Sequence, residues 1–113
     1  MIKIFHNPRC TKSRQALELL KSKGKSPEVI EYLKTPPTVN ELKDILKLLK
    51  VSPEELIRKG EALYKENYKG KSFSEDEWIK IMVENPILIE RPVVIAGKKA
   101  VIGRPPEKVL EII

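Results

Sequence analysis

The first 32 residues read as strand, helix, strand, and that order restricts the fold more than any other feature. Ile2-Lys3-Ile4-Phe5 has the alternation of a short strand. From Thr11 or Ser13 to Lys23 the residues Ala16, Leu17, Leu19 and Leu20 recur at helical spacing, and Gly24 stands where a helix stops. Pro27-Glu28-Val29-Ile30-Glu31-Tyr32 reads as a second strand. Two strands joined through a single crossover helix pair in parallel.

The far end of the chain has a different pattern. Arg91 to Ile95 is strand-like, Ala96-Gly97-Lys98-Lys99 is a turn, and Ala100 to Gly103 is a second strand. Arg104-Pro105-Pro106 then leads into an expected helix, Glu107 to Ile113. The middle is helical. Thr38 with Glu41, and Ser74 with Glu77, have capping-box spacing. Leu42, Ile45, Leu46 and Leu49 share one helix face. Ser52-Pro53-Glu54-Glu55 starts a short helix expected to run to about Arg58, Glu61 to Tyr68 is weakly helical, and Trp78, Ile81 and Met82 belong to a helix ending at Asn85-Pro86. A βαβ unit followed by a ββα unit is the thioredoxin-like arrangement. The expectation is therefore an α/β fold of glutaredoxin type: a mixed four-stranded sheet flanked by helices. One domain, 1–113, has a helical insertion at about 38–85 between its two halves.

Bulk properties exclude several functions. With 113 residues and 41% apolar content, the chain suits one folded domain. No apolar run approaches the roughly 20 residues of a membrane span. Met1 to Phe5 meets His6-Asn7-Pro8 at once, which is no signal peptide, so a cytoplasmic protein is expected. The net charge of +6 comes from 22 basic and 16 acidic residues. These alternate along helical stretches such as ELKDILKLLK rather than forming a basic stripe, and aromatics are only 5%, so nucleic acid is not an expected partner. A small anionic ligand is. One cysteine and one histidine exclude a disulfide scaffold and a multi-cysteine metal site, and carboxylates do not cluster at ligand spacing; no metal is expected.

The one cysteine, Cys10, lies in HNPRCTKSR at the first strand-to-helix junction. A thiolate, not a thiol, is the nucleophile. Three features favour the thiolate here: the positive end of a helix, the cations Arg9, Lys12 and Arg14, and His6, which can donate to sulfur or pair with it when protonated. Ser13, one turn along, can also donate a hydrogen bond, and the N–H groups of that turn can cradle an oxyanion. Free cysteines are often inert core residues. Cys10 sits instead among Pro, Arg, Thr and Lys, which points to reactivity. Ser13 at the fourth position excludes a C-x-x-C dithiol, and Ala16, six residues on, excludes the Cys-x5-Arg loop of tyrosine phosphatases.

HNPRCTKSRQALELL, with EYLKTPP, LIRKGEALYKE, NPILIERPVV and GRPPEKVLEII in order and at similar spacing, resembles the glutaredoxin-linked arsenate reductase (ArsC) family over nearly the whole chain. The resemblance implies a thioredoxin-like fold with a helical insertion. It also implies reduction of arsenate to arsenite, with no bound cofactor, glutathione as co-substrate and glutaredoxin as partner. It places the nucleophile at Cys10, three oxyanion-binding arginines at Arg58, Arg91 and Arg104, a supporting histidine at His6, and a cis-proline facing the site at Pro92. Thr11-Lys12 stands where well-studied members carry Gly-Thr.

Each arginine has a plainer reading: Arg58 as a helix-end surface residue, Arg91 as half of an exposed ion pair with Glu90, Arg104 as the flank of a helix start. Together, with the family's pattern, they read as an anion clamp, because the guanidinium fork grips tetrahedral oxyanions and keeps its charge. A monomer is expected. Two other functions remain open at this level. One is an Spx-type regulator that binds RNA polymerase, although many of those carry the C-x-x-C lacking here. The other is a general thiol-transferase using Cys10 on another substrate.

Overall fold

The structure is a computed structural model and describes all residues from Met1 to Ile113. The chain forms two compact units, one from Met1–Thr35 with Arg91–Ile113 and one from Pro36–Glu90.

The first unit holds the sheet. Its strands are β1 (Ile2–Phe5), β2 (Glu28–Ile30), β3 (Val93–Ala96) and β4 (Lys99–Ile102), in the spatial order β2-β1-β3-β4. β1 and β2 are parallel, as the single crossover helix requires, with Ile4 opposite Val29. β3 runs antiparallel to both β1 and β4. The mixed four-stranded sheet is thus the thioredoxin-like one expected. β2 is shorter than Pro27–Tyr32. It is an edge strand, and Tyr32 is buried beyond its end rather than within it.

The crossover helix α1 spans Thr11–Ser22 and ends at Gly24, whose φ of +76° is a conformation few other residues adopt. Its Ala16 and Leu20 pack with Ile4, Val94 and Val109 into a fully buried core. Val109 comes from the C-terminal segment, where the expected α-helix is instead a 3-10 helix, Pro106–Glu111. Pro105 and Pro106 supply no N–H for a first turn, and six residues are few for a regular α-helix to form on.

The second unit contains α2 (Val39–Leu49), α3 (Ala62–Asn67) and α4 (Glu75–Glu84). Both expected capping boxes are present, Thr38 with Glu41 and Ser74 with Glu77. Leu42, Ile45 and Leu46 are the buried residues of α2, which packs against α4; Leu49 is half-buried. In α4 the core positions are Trp78, Ile79 and Met82, and Ile81 is only half-buried. The segment after Ser52 is a 3-10 helix, Pro53–Leu56, that stops short of Arg58 because Ile57 turns extended and pairs with Ile89. Tyr64, Tyr68 and Phe73 surround Trp78, with the Phe73 ring edge-on at 4.8 Å between centroids.

Candidate active site

The loop between β1 and α1 is held by its own polar groups. The His6 N–H donates to the Ile30 carbonyl at 2.8 Å, which carries the β1–β2 pairing one residue further. The Asn7 carbonyl accepts the Cys10 N–H at 3.0 Å, and Asn7 Oδ1 accepts the Arg9 N–H at 3.0 Å in an Asx turn. Ser13 is fully buried. Its Oγ accepts the Asn7 N–H at 3.1 Å and shares a 2.6 Å hydrogen bond with His6 Nδ1. Asn7 therefore has as large a part in shaping this loop as any residue singled out from the sequence. Its signal was the Asn7-Pro8 dipeptide, a turn initiator.

These bonds place Cys10 at the N-cap of α1, with extended backbone angles and a half-buried side chain. The first turn of α1 carries no acidic residue. Burial by itself would raise the Cys10 pKa. Hydrogen bonds from the Ser13 N–H, from Arg91 and from the Lys12 N–H, together with the Arg91 charge, outweigh it and leave the thiol below its ordinary value. The helix terminus thus acts through two identified N–H groups.

Arg91 and Arg104 converge on the same place from the other side of β1. Arg91 lies two residues before β3 and is 7% exposed, which is not the setting of a surface ion pair. Arg104 follows β4. Its Nη1 lies 4.0 Å from Cys10 Sγ, at the outer limit of contact, and donates to the Arg91 carbonyl at 3.2 Å. Arg91, not Arg104, is the arginine that lowers the Cys10 pKa. The Gly103 N–H donates to the Pro92 carbonyl at 2.8 Å, and a Cβ on Gly103 would stand 2.9 Å from Pro92 Cγ, so only glycine lets the two segments approach this closely. The Arg91–Pro92 bond is cis, as the family resemblance implied, and so is Arg104–Pro105.

His6 takes a different position from the one expected. It bonds Ser13 rather than the sulfur, and burial lowers its pKa, aided by Lys21 and Arg14 and opposed by Glu31. It is therefore neutral near pH 7, and its link to Cys10 runs through Ser13. The Ser13 hydroxyl is engaged with His6 and Asn7, so it is the backbone N–H of Ser13 that reaches the sulfur. Arg58 belongs to the Pro36–Glu90 unit. It is half-buried there, with Nε 3.4 Å from Glu61 Oε1 and its N–H donating to the Leu88 carbonyl at 2.7 Å. No group of three or more His, Cys, Asp or Glu is placed to hold a metal ion, and no helix is long and apolar enough to cross a membrane.

A thiol held below its ordinary pKa beside guanidiniums at a helix N-terminus, on a thioredoxin-like sheet, defines a class of thiol proteins with a cationic site. Within that class the chain belongs to the ArsC family, whose model matches residues 5–112. It is 55% identical to the uncharacterized protein YfgD of Escherichia coli (strain K12), over 99% of this chain and 96% of that one. It is 46% identical to the arsenate reductase of Neisseria meningitidis serogroup B, over 96% of this chain and 94% of that one. The solved arsenate reductase from Vibrio cholerae superposes with a TM-score of 0.95 at 46% identity, covering 99% of this chain and 97% of that one.

Proposed function

We propose that the protein reduces arsenate to arsenite at Cys10, using electrons from glutathione and glutaredoxin. The observation that carries this reading is a thiol held below its ordinary pKa with Arg91 and Arg104 beside it. The same cations that stabilise the thiolate suit a tetrahedral oxyanion, and the arsenate reductases among its relatives support that choice.

The reaction takes the following course. Arg91, Arg104 and the N–H groups of the first turn of α1 hold arsenate, with Arg58 as the third arginine on the family's pattern. The Cys10 thiolate attacks arsenic and displaces one oxygen as water, so a sulfur–arsenic bond forms and arsenic stays pentavalent. A glutathione thiolate then attacks the Cys10 sulfur. A disulfide forms, the sulfur–arsenic electron pair remains on arsenic, and arsenite departs. Glutaredoxin and a second glutathione release Cys10 and leave oxidised glutathione. The outside thiol is required because the chain has no second cysteine. His6, Ser13 and Pro92 position the site. We read the protein as a cytoplasmic monomer.

A coupled assay with arsenate, glutathione, glutaredoxin, glutathione reductase and NADPH tests the reading. NADPH oxidation should depend on arsenate and glutathione, and a folded Cys10→Ser variant should lose it. Turnover by that variant, or none by the wild type, contradicts the reading.

A further inference from the structure

Between the loop after β1, which ends at Cys10, and the segment after β2 the surface opens into a cavity of about 200 Å3. It is lined by His6 to Arg9 of the loop after β1 and by Glu31, Leu33 and Lys34 after β2. None of these residues belongs to the arginine side of the site, which comes from β3 and β4. We infer that this cavity binds the α-amino-acid head of the incoming thiol, the γ-glutamyl end of glutathione. The inference rests on the proposed reaction and adds to it where the second substrate sits.

Three observations carry it. The first is direction. Displacement at sulfur is roughly in line, so a thiol attacking Cys10 must come from the side opposite the arsenic. In the proposed reaction arsenate is held by Arg91 and Arg104, which flank β3 and β4, whereas the cavity is lined by residues after β1 and β2, at the other edge of the sheet. The second is charge. A γ-glutamyl head carries one carboxylate and one ammonium. The cavity offers Arg9 and Lys34 to the first and half-buried Glu31 to the second. Lys34 and Glu31 already pair at 3.5 Å, but the Lys34 side chain is 80% exposed; such a pair is weak and exchanges easily for ligand charges. The third is size and reach. Ligand pockets usually exceed about 300 Å3, so this one takes an arm of a ligand rather than a whole tripeptide. Its wall ends at Arg9, one residue before Cys10, and the glutathione sulfur lies one residue along from the γ-glutamyl head. Exposed Leu33 gives the methylenes of the arm an apolar wall.

The electron balance is that of the proposed reaction. The glutathione sulfur forms a bond to Cys10 Sγ, the Sγ–As bond breaks toward arsenic, and the thiol proton ends on an arsenite oxygen. The cavity supplies position only.

Two measurements test the cavity. The first compares glutathione with cysteinylglycine, which has the same thiol but no γ-glutamyl head. Lys34→Glu should raise the KM for glutathione about tenfold and erase the preference for it over cysteinylglycine, with the KM for arsenate unchanged. Equal effects on both thiols, or no effect on either, overturn the inference. The second needs no turnover. S-methylglutathione, whose sulfur is blocked, should shift the amide resonances of residues 6–9 and 31–34 in the wild type and not in Lys34→Glu. Shifts confined to β3 and β4, or none, overturn the inference. If arsenate is not turned over but S-methylglutathione still shifts these amides, the cavity stands and the arsenate reading falls.

Discussion

In the unit of residues 36–90 the helix starts are fixed by neighbours in sequence, whereas the polar groups around Cys10 are brought together by partners far along the chain. Thr38 caps α2 through Glu41 and Ser74 caps α4 through Glu77, each across three residues. The four aromatics of that unit lie between Tyr64 and Trp78. In the sheet unit Ile4 pairs with Val94, and Arg104 reaches Cys10 across a separation of 94 residues. The helical unit is built from local signals. The surroundings of Cys10 depend on strand register, which brings Arg91 and Arg104 to the thiol and Gly103 against Pro92.

If that contrast holds, small changes at the register-set positions should cost reactivity, and changes at the caps should cost only stability. The largest effect is expected at Arg91. Arg91→Lys keeps a charge but loses the fork, so kcat/KM for arsenate should fall about 10²-fold, as when an enzyme loses one oxyanion donor, with a much smaller change in Tm. Steady-state kinetics equal to wild type would make Arg91 a structural cation. Next is Gly103→Ala. Its Cβ would crowd Pro92 and then Val109, and denaturant titration should show a loss of about 1–3 kcal/mol, with slower Cys10 alkylation because the crowded Pro92 adjoins Arg91. An unchanged midpoint would mean that the two segments can move apart freely.

Ser74→Ala sharpens the contrast from the other side. Removing that cap should lower stability by about 1 kcal/mol and leave the alkylation rate of Cys10 as it was. A change in thiol reactivity would show that the two units are not separable in this way. The smallest effect is a pH dependence from His6. Its folded pKa is below its unfolded value of about 6.5, so the unfolded chain takes the proton more readily. This contribution to stability is complete above pH ~6.5 and is lost as pH falls from there toward the folded value. His6→Gln should flatten that limb of the stability curve. An identical limb in the variant would remove His6 as its source.

The same contrast governs how much of the fold is legible in the sequence. Both capping boxes, the crossover helix and the closing hairpin were visible because their signals are local: a hydroxyl three residues before a carboxylate, a 3.6-residue period, a glycine in a turn. The errors fell where the chain departs from those periods. Two segments expected as helix became 3-10 turns beside prolines. At the site, the composition around Cys10 announced a reactive thiol. The pairing of His6 with Ser13, the turn around Asn7 and the tight approach of Gly103 to Pro92 left no periodic trace, because each is a contact between side chains or segments that only the folded sheet brings together. The arginines were named through the family resemblance, since no spacing within the chain joins Arg91 to Cys10.

Two N–H groups of α1 and the Arg91 guanidinium lower the Cys10 pKa against the cost of burying the thiolate. Iodoacetamide reports on this thiol alone, because the chain has no other. The rate of alkylation measured against pH should follow a single titration with a midpoint below the value of about 8.5 for a free cysteine, and Arg91→Ala should move that midpoint upward. A midpoint at or above the free value, or one that Arg91→Ala leaves in place, would contradict the account.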